Sequence, residues 1–370
     1  MKKLPIDQRY VLDLLVKLLN TPSPSGYTDR VVHLACDELE RLRIPYEITR
    51  RGAIRATLKG RRESPDRAVV AHLDTLGAMV KGLKENGRLE LVPIGHWSSR
   101  FAEGARVTIF TDGRPIRGTI LPIKASGHTF NEEIDSLPVT WRHVEVRVDE
   151  PCHSRRDLMN QGFHVGDFIA VDANCEISEN GFINSRHLDD KAGVAVLFGA
   201  AQALTSHDVE LPVDVHLLLT ISEEVGSGAS AALQQDVAEM VTIDNGTTAP
   251  GQNSAEFGAT IAMADSTGPF DYHLTHHLLG LCREFGVQHQ RDVFRYYRSD
   301  SAAAVEAGND LRTALICFGI DASHGYERIH WHALESLAEL LVLYAQSHAL
   351  FDRDRFDIGP REGFPTLPGR

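Results

Sequence analysis

Leu217-Leu-Leu-Thr-Ile-Ser-Glu-Glu-Val-Gly226 is an apolar run that ends in two adjacent carboxylates. From about Val213 onward it has the length and β-branching of a strand buried on both faces. An ionised carboxylate is costly to bury without a counter-charge. Glu223 and Glu224, side by side at the end of such a strand, therefore ask for a cation. In an open α/β sheet, ligands also sit where the strands end. A solvated Glu-Glu turn would look the same in isolation, so the rest of the chain has to separate the two readings.

The chain of 370 residues is long enough for two domains, or for one domain with a large insertion. A formal net charge of -13 argues against nucleic acid and anionic membranes as partners. The five cysteines (Cys36, Cys152, Cys175, Cys282, Cys317) are scattered, odd in number and without Cys-x-x-Cys spacing. Reduced thiols fit that pattern better than a disulfide framework or a thiolate zinc site. The opening Met-Lys-Lys-Leu-Pro-Ile-Asp-Gln-Arg has no apolar core of a secretion signal, and no stretch has the length of a membrane span. The expectation is a cytoplasmic protein.

On the N-terminal side, apolar spacing predicts an amphipathic helix over Tyr10–Leu19, stopped by Thr21-Pro-Ser-Pro-Ser-Gly26. Thr28 and Asp29 can cap a second helix that runs to about Leu42. Tyr46–Thr49 and Ile54–Leu58 read as a hairpin, and Arg67–Leu73 as a short buried strand ending in His72-Leu-Asp74. From Thr75 to about Ile183 the texture changes to short alternating runs punctuated by Gly, Pro, Asn and Asp. This predicts a mostly antiparallel β domain inserted into an α/β domain. The discontinuous catalytic part is then 1–74 plus 184–348, the insert is 75–183, and 349–370 is a tail, poorly ordered or acting as an arm. On the C-terminal side, Lys191–Leu204 reads as a small-residue helix, Met240–Ile243 as a strand ending in Asp244, and Asp271–Phe285 as a helix stopped by Gly286. Gln290–Tyr297 has strand character. Ser299 and Asp300 can cap a helix over Ser301–Glu306. Thr313–Phe318 is a further buried strand, His324 follows it, and Arg328–Ser347 is a long helix.

Four strand-to-loop junctions thus end in metal-capable residues: His72, Glu223/Glu224, Asp244 and His324. A fifth, Arg186-His-Leu-Asp-Asp-Lys191, opens a helix. Each alone reads more readily as a helix cap or a satisfied polar side chain than as a ligand. Together they converge, because the carboxyl ends of parallel strands meet at one crevice. Two histidines and three carboxylates suit a pair of zinc-like ions. Two divalent cations are balanced by Asp189, Glu224, Asp244 and one bridging hydroxide, which leaves Glu223 free to take a proton. Residues i and i+2 of a strand face the same side, so Asp74 can accept the second imidazole N–H of His72 and fix its tautomer.

His72-Leu-Asp74-Thr-Leu-Gly77, Leu188-Asp189-Asp190-Lys191, Glu223-Glu224-Val-Gly226, Ile243-Asp244 and His324 resemble the tetrahedral aminopeptidases, the dinuclear metallopeptidases of peptidase family forty-two. The order of the motifs and the β insert after the first histidine match over nearly the whole chain except the tail. The resemblance implies a phosphorylase/hydrolase-like α/β domain with a mixed, mainly parallel sheet, plus an inserted β-barrel-like domain. It implies that His72 and Asp244 hold one ion, Glu224 and His324 the other, that Asp189 bridges, and that Glu223 is the general base. Zinc is the first expectation for both ions, with cobalt or manganese as alternatives. It also implies a homo-oligomer, from dimer to dodecamer, assembled through the insert.

Three departures bear on substrate preference. His187 and Lys191 stand where the family usually has Ala and Arg; Ser222 replaces a Gln before the two glutamates; and His324 is followed by Gly325-Tyr-Glu-Arg328. Thr49–Arg55, Trp97–Arg106 and Leu121–His128 resemble a branch of the family associated with the osmoprotectant N-acetylglutaminylglutamine amide. His128 is either a surface histidine or one that reaches a neighbouring subunit. The activity implied is hydrolysis of short peptides or peptide-like amides. A deacylase or amidase of N-acylated or amidated dipeptides would use the same core, and a silent scaffold would be expected to lose one of its members. A Ser/His/Asp hydrolase is disfavoured, since there is no Gly-x-Ser-x-Gly elbow.

Overall fold

The computed structural model describes residues 1–233, 236–356 and 358–368. Its backbone is a nine-stranded mixed sheet and a closed six-stranded antiparallel barrel. Four strands at the centre of the sheet run parallel, in the spatial order Leu211–Thr220, Gly60–His72, Val237–Thr247, Arg312–Ile320. All ten residues of Leu211–Thr220 are buried, Asp214 and His216 among them, as expected of a central strand covered on both faces. The predicted hairpin pairs Ile48 with Ile54 and continues the sheet antiparallel on one side. Ala259–Asp265 continues it antiparallel on the other.

Helix Leu188–Ser206 lies against the central strands and packs on Gln8–Leu19 and Trp331–Gln346. It is buried on nearly every side, which its Ala, Gly and Val content permits. Close approach is needed at Gly193 in particular: a Cβ there would lie 2.1 Å from Asp190 Oδ1. The barrel strands lie between Gly77 and Val171 and enclose a separate apolar cluster around Val80, Leu91, Ile109, Ile120, Val146 and Ile169.

Several predicted boundaries shift. The long helix starts at Trp331, because Glu327–His330 first forms a short strand against Phe182–Ser185. Strand character ends at Val293, and Tyr296 is almost wholly exposed. Ser299 caps the helix Asp300–Glu306 through the Ser301 N–H, while the Asp300 carboxylate turns away and accepts from Thr220 Oγ1 (2.6 Å) and Ala229 N–H (2.7 Å). The tail is tied to the sheet: Arg312 pairs with Asp354 at 2.7 Å and Arg62 with Asp352 at 2.9 Å. Beneath it, fully buried Arg67 donates to the Ser347 and His348 carbonyls and stacks on the Tyr344 ring. It faces Glu239 at 3.4 Å, and Glu239 in turn accepts from the Tyr344 hydroxyl at 2.9 Å.

Candidate metal centre

The parallel register brings the predicted residues level. His72 ends its strand opposite Thr220, one turn before Glu223 and Glu224. Thr242 pairs with Val70, so Asp244 stands beside His72 on the other flank. The chain leaves Gly60–His72 for a neighbour on one side and later returns to a neighbour on the other. This reversal opens a crevice at the strand ends. Asp189 enters it from the start of the buried helix, and His324 from the turn after Arg312–Ile320.

Asp189 lies between the two imidazoles. Its Oδ1 is 3.2 Å from His72 Nε2 and its Oδ2 is 3.2 Å from His324 Nε2. Around this carboxylate the ligand-type atoms fall into two groups, His72 with Glu223 and Asp244, and Glu224 with Asp189 and His324, each within 4.8 Å of one another. All seven residues singled out in the sequence therefore meet in one place, Asp74 included.

Surrounding groups hold the donors in place. His72 Nδ1 is 2.9 Å from the Asp74 main-chain carbonyl, closer than the Asp74 carboxylate at 3.6 Å. That carboxylate is engaged elsewhere, with Oδ1 accepting the Glu223 N–H (3.1 Å) and Oδ2 the Glu224 N–H (3.3 Å). It thereby shapes the Glu-Glu turn, which Gly226 closes at φ +80. Asp190 Oδ2 accepts the His72 main-chain N–H at 3.0 Å. Glu327, buried, accepts from Leu188 N–H (2.7 Å) and Asp189 N–H (3.3 Å) through one oxygen and from His324 N–H (2.9 Å) through the other. His324 Nδ1 meets the His96 carbonyl, from the loop after barrel strand Leu89–Ile94, at 2.8 Å. Asn245 donates to Asp189 Oδ2 (2.7 Å) and Asp244 Oδ1 (3.1 Å). Sequence reasoning passed over Asn245, His96 and Glu327. Asn245 follows a named carboxylate directly and was within reach of the pattern, whereas Glu327 and His96 act across long separations that no local spacing reveals.

The crevice without cations is short of positive charge. Burial pushes the Glu224 and Asp244 carboxyls up to about 8, and lifts Glu223 and Asp190 well above the carboxylate range. Burial alone would depress both imidazoles. Hydrogen bonding to Asp189 reverses this and raises His324 to about 10 and His72 well above its usual value. Glu224 Oε1 is buried with no hydrogen-bond partner. An orphaned carboxylate oxygen among imidazoles and carboxylates fits zinc-type divalent cations.

A cavity of about 450 Å³ opens over Glu223, Glu224, Asp244 and His324, with Tyr296, Tyr297 and Arg298 on its wall. His187 and Lys191 are turned away from it: His187 Nε2 bonds the Val171 carbonyl (3.0 Å), and Lys191 is buried with its amine on Ser23 Oγ (2.7 Å). His128 is exposed in the short helix Gly127–Phe130.

Fold and donor set define a class: a metal-dependent hydrolase built at the carboxyl end of a mainly parallel sheet. The chain belongs to the M42 glutamyl aminopeptidase family, whose sequence pattern matches residues 52–340. It is an aminopeptidase, a peptide-bond hydrolase, as the resemblance implied. YhfE of Bacillus subtilis strain 168, which carries a provisional aminopeptidase name, is 37% identical over 340 residues, spanning 92% of this chain and 98% of its own. A TET aminopeptidase from a marine sediment thaumarchaeon superposes with a TM-score of 0.82 at 19% identity, covering 91% of this chain and 96% of that one. The TET1 peptidase of Pyrococcus horikoshii, described as assembling into a tetrahedron or a large octahedral shell, superposes with a TM-score of 0.80 at 22% identity, covering 90% of this chain and 99% of that one. Both solved structures share the fold, the mixed sheet with its phosphorylase/hydrolase-like arrangement and the barrel. Among the described residues, no helix is long and apolar enough to cross a membrane.

Proposed function

We propose that this aminopeptidase uses two divalent ions, with zinc foremost, bridged by Asp189. The observation that carries the reading is the Asp189 carboxylate presenting one oxygen to each imidazole at 3.2 Å. His72 and Asp244 would hold one ion, Glu224 and His324 the other. When bound, such ions supply Lewis acidity toward the scissile carbonyl and lower the pKa of water from 15.7 to about 7.

The chain's own residues do the rest. Glu223 takes the proton of the attacking water and delivers it to the leaving amine. Exposure favours it over Glu224 for that role: its side chain is 14% exposed to the cavity against 4% for Glu224. The charge count needs only one of the two glutamates, and a raised proton affinity, which both share, suits a group that accepts and donates. Asp74 and Asp190 orient it and His72 through main-chain hydrogen bonds. Tyr296 and Arg298 line the mouth where a short peptide would enter.

The barrel, taken as a domain of its own over 75–183, is the proposed assembly element of a homo-oligomer. The substrate is a short peptide or peptide-like amide, and the osmoprotectant link points to glutaminyl dipeptide derivatives. Glu223→Gln tests the roles. It should keep both ions by elemental analysis and lose about 10²–10⁴-fold in kcat. Near-normal kcat removes the base, and loss of an ion makes Glu223 a ligand. Asp189→Ala should lose both ions. Comparing free-amino, N-acetylated and C-amidated glutaminyl dipeptides with generic aminoacyl substrates separates the aminopeptidase from the deacylase.

A further inference from the structure

The opposite end of the sheet carries a second cluster of ligand-type groups. Strand Gly60–His72 is irregular near its start. Its pairing with Leu211–Thr220 jumps from Arg62 to Arg67 while the partner advances only from Val213 to Val215. The pairing with Val237–Thr247 slips at the same place, between Val237 and Glu239. A bulge of this kind re-aims side chains, and here it turns the buried Asp66 toward His216 and Asp236.

Asp66 Oδ2 is 2.9 Å from His216 Nε2. The other ring nitrogen of His216 is held by Thr57 Oγ1 at 3.0 Å, which fixes the imidazole plane. The Asp236 carbonyl accepts the Asp66 N–H at 3.1 Å, so the two aspartates are locked side by side. One ligand atom from each of Asp66, His216 and Asp236 lies within 4.8 Å of the others.

This cluster differs from a plain ion pair in two respects. Asp66 is 3% exposed, and its Oδ1 is buried with no hydrogen-bond partner. Among the described residues no Lys or Arg pairs with Asp66 or Asp236; Lys59, close by, is engaged by Asp214 at 2.6 Å. Asp66 alone pairs with the imidazole, the Asp236 carboxylate stands close by, and one Asp66 oxygen has no hydrogen-bond partner. Burial pushes the Asp66 carboxyl up to about 6, with His216 pulling it down and Asp236 pushing it up again.

We propose that Asp66, His216 and Asp236 form a further divalent-cation site, which clamps three neighbouring strands where they enter the sheet. One imidazole and two carboxylates suit a zinc-class ion, completed by water on the open side of Asp236. Asp236 is exposed and borders a cavity of about 420 Å³ together with Arg312, Asp354 and Phe364, so the site is open to solvent on the Asp236 side. Asp66 stands six residues before His72 on one strand, so at about 3.3 Å per residue the site lies roughly 20 Å from the crevice. The inference therefore does not rest on how many ions the crevice binds.

The test counts zinc by elemental analysis on the full chain after saturation with zinc chloride and desalting. Asp236→Asn is the main variant, because Asp236 is exposed and its loss leaves the core intact. It should bind one zinc fewer than the unmodified chain and keep its peptidase activity. An equal zinc count in the two chains overturns the site. A second measurement uses Asp189→Ala, in which the crevice is disabled. Added zinc should still raise its Tm, and that rise should vanish in the Asp189→Ala, Asp236→Asn double variant. A zinc-induced rise of the same size in both also overturns the proposal. A crevice that binds one ion or none would correct the dinuclear reading and leave the difference between the two chains unchanged.

Discussion

Gly193→Ala places a methyl group where the Asp190 carboxylate now lies. The added Cβ would stand 2.1 Å from Asp190 Oδ1 and 2.7 Å from its Cγ, both far inside contact distance. The carboxylate must swing away, and its bond from the His72 N–H, 3.0 Å long, goes with it. Leaving the buried His72 N–H without a partner costs about 1–3 kcal/mol. Strain from overpacking adds about 1–3 kcal/mol, and the higher helix propensity of alanine returns about 1 kcal/mol. The net loss is about 1–5 kcal/mol, a fall in Tm of roughly 1–6 °C for a chain of this length. In an Asp190→Ala background the obstacle is gone, and the same change should be neutral or stabilising by up to about 1 kcal/mol. The assay is a four-variant thermal-unfolding square on metal-free protein, which yields the coupling between the two positions. Equal shifts in both backgrounds, or no shift in the unmodified chain, would refute the steric argument.

Arg67→Met strands Glu239 in the core with only the Tyr344 hydroxyl and the Leu350 N–H for company, and should cost about 3–5 kcal/mol by chemical unfolding; adding Glu239→Gln should recover much of it. Metal uptake should release protons at pH 7, because Glu224 and Asp244, raised to about 8, and His324, raised to about 10, hold protons in the empty crevice and must give them up to bind. Affinity should therefore rise with pH, and titration calorimetry in buffers of different ionisation enthalpy would show it; heats independent of buffer would contradict it. Light scattering should find at least a dimer, and a fully active monomer at micromolar concentration would remove the assembly role of the barrel.

The central strands were legible because each contains a short, mostly apolar run, at Val69–Ala71, Leu217–Leu219, Met240–Ile243 and Ala314–Phe318, and burial on both faces favours that composition. Each run also ended in a donor, so His72, Glu223, Glu224, Asp244 and His324 could be named before their distances were known. Asp189 was harder, since it opens a helix and sits at no strand end; the Arg186–Lys191 junction and the charge count named it, and the resemblance supplied its bridging role. Ala259–Asp265 was missed because its Ala-Thr-Ile-Ala-Met-Ala run has too few β-branched residues to declare a strand, and pairing with Arg312–Ile320 decides it. Glu327–His330 was absorbed into the following helix for a similar reason: its partner, Phe182–Ser185, lies far back in the chain. The Asp74 carboxylate was placed on the correct side of the strand but given the wrong partner. Alternation fixes a face, and only the folded turn shows that two main-chain N–H groups lie nearer than an imidazole.

The contact between His324 Nδ1 and the His96 carbonyl joins a loop on the barrel rim to a donor beyond the last parallel strand, across 228 residues of sequence. A displacement of that rim changes the aim of the imidazole, and fixing the imidazole stiffens the rim. Such a dependence runs equally in both directions. A neighbouring chain that gripped the barrel would alter the affinity of the crevice for its ions, and filling the crevice would alter the grip by the same factor. On the proposed assembly through the barrel, this hydrogen bond would couple quaternary state to cation occupancy.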